Sequence, residues 1–100
     1  MRLIFDLESN GLLDELDRIH CLCLKNIDTE ETYSFAPSEV KTGVKMLMEA
    51  DLVIGHNIIA FDIPAIKKVY PWFKIRKSRV RDTLIMSLLL YPDLSDRDWR

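Results

Sequence analysis

The sequence predicts an α/β domain on a mixed β-sheet, with its elements in the order βββαβαβα. Three observations lead there. Strand-length runs rich in apolar and β-compatible residues occur at 2–5, 19–25 and 31–35, with a polar turn over 26–30. Beyond Pro37 the apolar residues recur at helical spacing. That spacing is interrupted by Leu52-Val53-Ile54, an all-apolar run closed by Gly55, as a buried parallel strand requires.

Taken in order, Arg2-Leu3-Ile4-Phe5 reads as a buried strand ending in Asp6. Residues 19–25 and 31–35, the latter carrying Thr, Tyr and Phe, complete an antiparallel meander around the turn Asn26-Ile27-Asp28-Thr29-Glu30. A first helix opens after Pro37, with Ser38 as its expected N-cap and Val40, Val44, Leu47 and Met48 on one stripe. A second begins around Asp62, tolerates Pro64 in its first turn, buries Ile63, Ile66, Val69 and Tyr70, and stops at Pro71. Residues 79–82 form an edge strand. A third helix is expected over 83–91 with Leu84, Ile85, Leu88 and Leu89 inward, followed by an acidic, polar tail over 92–100 that contains Trp99. Helical crossovers between the later strands make this the ribonuclease H-like order, C-terminally incomplete.

At 48% apolar and 30% charged residues, the chain suits one globular domain with a real core. Its longest apolar runs are far too short to cross a bilayer, and Asp6 interrupts any signal-peptide core, so a cytoplasmic protein without a membrane is expected. Cys21 and Cys23, two apart on one strand, are poorly placed for a mutual disulfide and too few for zinc; they are expected as buried small hydrophobes.

The net charge of −2 conceals an asymmetry. Residues 1–62 hold five Lys or Arg against twelve Asp or Glu, whereas residues 63–81 hold seven basic residues and no acid. An acidic half beside a basic stretch suits a protein that holds metal ions in one place and phosphates in another. A solvated helix end would look similar.

Two constellations carry chemistry. Asp6 and Glu8, at i and i+2 on a strand end, point the same way and repel unless a cation such as Mg²⁺ or Mn²⁺ lies between them. The plainer alternative is a solvated turn, favoured by Ser9-Asn10-Gly11. Gly55-His56-Asn57-Ile58-Ile59-Ala60-Phe61-Asp62 lies at the carboxyl end of a parallel strand, where ligands gather in open sheets. Asp62 would share an edge with Asp6 and Glu8 if the strands are neighbours, or would simply cap a helix.

These strings together resemble the DEDD 3′–5′ exonucleases. Asp6-Leu7-Glu8 with Ser9-Asn10-Gly11-Leu12 is similar to their Exo I motif, and His56-Asn57-x-x-x-Phe61-Asp62 to Exo II. Arg81-Asp82-Thr83-Leu84-Ile85-Met86-Ser87 resembles the Asp-Thr helix start of family A polymerase proofreading domains, with the nearest likeness in phage-type replicative polymerases. The resemblance implies a partial exonuclease domain over 1–91 and two-metal hydrolysis of a single-stranded DNA 3′ end. It also implies Mg²⁺ or Mn²⁺ on Asp6, Glu8 and Asp62, and a polymerase domain downstream or in trans. Asp6 would bridge both ions, Glu8 would hold the water-activating ion, and Asp62 the second. Ser9, Leu12, Asn57 and Phe61 match positions near the frayed 3′ end, and Lys74, Arg76 and Lys77 would meet phosphates. His56 reads as a structural hydrogen-bonder. A fourth aspartate, in an Exo III motif, does not occur before Arg100. The expected activity of these 100 residues alone is therefore weak or absent.

Two other readings stay open. One is a non-catalytic nucleic-acid-binding or regulatory module using residues 63–81 with Tyr70, Trp72 and Phe73. The other is a different ribonuclease H-like enzyme acting on RNA.

Overall fold

Alternation along the first strand sets the architecture. The computed structural model describes residues 1–84, and in it β1 (Arg2–Ser9) runs well past the expected four residues. Leu3, Phe5 and Leu7 point inward and are buried, while Ile4, Asp6 and Glu8 point outward and are exposed. The strand is thus buried on one face only. β2 (Ile19–Asn26) pairs with β1 antiparallel, and β3 (Thr32–Phe35) pairs with β2, giving the expected meander. Its turn is tied by Asn26, whose side-chain oxygen accepts the Asp28 N–H at 2.9 Å.

Helix α1 (Val40–Glu49) buries Val40, Val44 and Leu47 as the spacing predicts. Ser38 is not its cap: the helix begins one residue after Glu39, which makes no side-chain capping bond, and residues 37–39 form a preceding turn. Gly43 lies where α1 meets the sheet; a Cβ there would stand 2.6 Å from Phe35 Cδ2 and 2.7 Å from Leu22 Cδ2. Only glycine allows this approach.

β4 (Leu52–Gly55) runs parallel to β1 on one side and to β5 (Val80–Asp82) on the other, so the five strands stand in the order β3-β2-β1-β4-β5. This is the mixed α/β sheet predicted from the sequence. A π-helical turn (Ile58–Asp62) leads into α2 (Ile63–Val69), which carries Pro64 in its first turn and ends at Tyr70. Both crossovers, β3-α1-β4 and β4-α2-β5, step the same way across the sheet, so right-handed connection puts both helices on one face. There Leu3, Phe5, Leu22, Leu47, Val53, Ile66 and Phe73 share a single core. The opposite face, with Ile4, Asp6, Glu8, Cys23 and Ser34, carries no helix among the described residues. Thr83 and Leu84 are helical. The rest of the expected third helix and the tail, with Leu88 and Trp99, lie outside the described residues.

Candidate active site

β1 outruns its parallel neighbour. Pairing with β4 covers only Arg2 to Ile4 against Leu52 to Ile54, and β1 continues to Ser9. Asp6 and Glu8 therefore lie on the overhang, directly opposite Cys23 and Cys21 of β2. β5 ends level with β4, Gly55 opposite Asp82. The carboxyl ends of β1, β4 and β5 thus form one edge, where open α/β sheets place their ligands.

The segment that brings Asp62 to this edge is conformationally unusual. A side chain at Gly55 would overlap Ile58 Cγ2 and press on the Phe5 carbonyl, so β4 must end in glycine for the chain to turn so tightly. Asn57 takes the left-handed conformation (φ 60°, ψ 31°), which asparagine tolerates better than most residues. Ile58, fully buried, anchors the π-helical turn, a form that concentrates at functional positions. At its end Asp62 is only 6% exposed and does not cap α2. Burial pushes its carboxyl up to about 7, and the charges of Asp6 and then Asp82 add to the shift. The Leu7 backbone N–H acts in the opposite sense, favouring the ionised form.

Asp82 is the residue that sequence reasoning missed as a member of this edge. It is 3% exposed. Its carboxylate accepts the N–H of Asn57 at 2.9 Å, of Ile59 at 3.0 Å and of Leu84 at 2.9 Å. Beside it, Thr83 Oγ1 stands 3.0 Å from His56 Nδ1 and 3.4 Å from the Gly55 carbonyl. An Asp-Thr pair before an apolar run signals a helix N-cap, and the Leu84 bond has that form. Nothing in the local pattern signals the long-range bonds to Asn57 and Ile59.

The donor chemistry at this edge suits a hard cation: carboxylate oxygens, with the Asp62 carboxyl raised first by burial and then by a neighbouring negative charge. Among the described residues, no three His, Cys, Asp or Glu side chains come together closely enough to hold an ion. The charges of Asp6 and, less strongly, Asp82 act on Asp62, while Glu8 sits beyond Asp6 on the exposed face.

The remaining candidates fall into separate places. Ser9 Oγ donates to the Gly11 carbonyl at 2.8 Å, shaping the loop that leaves β1, and Leu12 on that loop is 73% exposed. Phe61 is half-buried against the core. Lys74 and Arg76 share a concavity with Met48, Ile75 and Arg79, whereas Lys77 joins Lys67 beside Ile59, Ile63 and Val80. The basic stretch thus lines two concavities that adjoin at Ile75. Lys68 belongs to neither, since its Nζ donates to the carbonyls of Leu13 and Asp14 at 2.8 and 3.0 Å. Phe73, at 1% exposure, is core and offers no stacking surface. The cysteines also differ from expectation. Outward register leaves Cys21 half-buried and Cys23 exposed, with their sulfurs 3.6 Å apart.

No family model matches the chain. Its sequence is similar to that of known DNA polymerases. The DNA-directed DNA polymerase of Escherichia phage T7 is 29% identical over 106 residues, covering 96% of this chain and 15% of the phage protein. That of Enterobacteria phage T3 is 28% identical over the same share of each. The chain thus spans about one-seventh of the length of these relatives. In fold it is similar to the family B DNA polymerase of the archaeon Pyrobaculum calidifontis, with a TM-score of 0.54 at 21% identity, over 70% of this chain and 11% of that one. The structural likeness shows the mixed α/β fold, and the sequence likeness supports a polymerase-related domain.

Proposed function

We propose that this chain is the front part of a 3′–5′ exonuclease domain that removes nucleotides from single-stranded DNA 3′ ends. The observation that carries the reading is the placement of Asp62, a buried carboxyl lifted to about 7 partly by Asp6, on the edge formed by parallel neighbours β1 and β4. Two acids so placed are costly without a cation and favourable with one. Similarity to phage DNA polymerases supports the substrate class. Asp6 and Asp62 would hold a divalent ion, with Glu8 as a further ligand from the exposed face. Bound there, Mg²⁺ or Mn²⁺ would supply charge stabilisation and an activated water at the scissile phosphate. The chain's own parts serve the strand: Leu12 offers an exposed apolar surface to an unpaired base, and Lys74, Arg76 and Lys77 offer charge to the phosphates.

The test is a single-turnover assay, protein in excess over 3′-labelled single-stranded DNA, with Mn²⁺. Loss of label that disappears in Asp6→Ala and Asp62→Asn supports the exonuclease. Tight binding with no Asp6-dependent cleavage would instead mark a non-catalytic binding module.

A further inference from the structure

The path from β4 to α2 is held from outside itself. Asn57 is left-handed and Ile58–Asp62 is π-helical, two departures from ordinary backbone in succession. The N–H groups of Asn57 and Ile59 take their acceptor from a side chain rather than from the turn, and both use the carboxylate of Asp82. The charged acceptor is buried, so these bonds are made where water competes little. Thr83 bridges to His56 and Gly55, and Gly55 pairs with Asp82 across β4 and β5. The end of β5 thus grips residues 55–59 at several points.

We propose that Asp82 is a positioning residue, fixing the bent segment from Asn57 to Asp62 so that Asp62 reaches the Asp6 edge. Its oxygens accept the N–H groups of Asn57, Ile59 and Leu84, so it acts on the segment through the backbone. Without it, two inward N–H groups lose their acceptor and the left-handed turn loses what holds it. The segment would then relax toward regular helix, carrying Asp62 away from Asp6. This rests on reading Asp6 and Asp62 as the metal ligands.

The test compares wild type with Asp82→Asn by amide hydrogen exchange and by Mn²⁺ titration. Replacing a charged acceptor should cost the Asn57 and Ile59 amides at least about tenfold in protection. The Leu22 and Val53 amides, in the sheet, should change less than about twofold. Loosening a ligand's support should weaken Mn²⁺ binding by about ten- to a hundredfold. Equal loss of protection at all four amides would make Asp82 a general structural residue and overturn the proposal. Unchanged protection at Asn57 and Ile59 would do the same. If wild type binds no Mn²⁺, the metal reading fails, and the exchange data still decide whether Asp82 holds the segment. If Asp82→Asn does not fold, exchange in wild type decides. Slow exchange at Asn57 and Ile59 supports the clamp, and exchange at the rate of an open loop refutes it.

Discussion

The charge of Asp6, on the exposed face of β1, bears on the buried carboxyl of Asp62 and helps to lift it to about 7. The two are far apart in sequence and meet because β1 and β4 are parallel neighbours. The lift has a consequence for stability in the absence of metal. The unfolded carboxyl loses its proton near its ordinary value of 3.8, the folded one near 7. Between those values the folded state holds a proton that the unfolded state has released. Stability from this group is therefore complete below about pH 4, falls as pH rises toward 7, and is flat above it. Each pH unit in that window is worth up to about 1.4 kcal/mol. Urea unfolding at pH 5 and pH 8 should show Asp62→Asn gaining about 2 kcal/mol relative to wild type over that interval. An unchanging difference would mean that Asp62 titrates normally.

Gly43→Ala tests the seating of α1. In an open helix alanine would stabilise by up to about 1 kcal/mol. Here the added methyl meets Phe35 and Leu22. Overpacking of this kind costs about 1–3 kcal/mol and should win. A more stable variant would show that α1 sits farther from the sheet.

Much of this was legible in the sequence. The element order, the parallel placement of Leu52-Val53-Ile54 and the outward pairing of Asp6 with Glu8 follow from periodicity and punctuation, which are local. Ser38 misled because a good capping residue identifies a helix start only when the chain turns into the helix there, and the turn over 37–39 delays it. The cysteines misled because apolar character was read as burial, when strand register puts Leu22 and Leu24 inside and Cys21 and Cys23 outside. Asp82 was legible as a cap for its own helix but not as an acceptor for Asn57, since that bond exists only once β4 and β5 are side by side.

The basic residues should separate into two groups on DNA. Lys74 and Arg76 line one concavity, and Lys67 and Lys77 the other. Each phosphate of single-stranded DNA that a side chain ceases to neutralise lowers the slope of log affinity against log salt by about 0.7. Lys74→Ala with Arg76→Ala, and Lys67→Ala with Lys77→Ala, should be titrated as separate pairs. A pair that leaves the slope unchanged lies off the DNA path.

The thiols should be reactive in the folded protein. Cys23 is exposed, and hydrogen bonding with Cys21 raises its pKa, so reaction with a disulfide reagent should proceed without unfolding and accelerate above neutral pH. Labelling that waits for denaturant would place these side chains inside.

The central claim is that Asp6 and Asp62 form the core of a divalent-cation site. The most direct measurement is Mn²⁺ binding by the 100-residue chain at pH 8, followed by the electron paramagnetic resonance of the free ion, in wild type, Asp6→Ala and Asp62→Asn. Saturable binding to wild type that weakens at least about tenfold in each variant is the predicted result. Equal binding by all three proteins, or none by wild type, would contradict it.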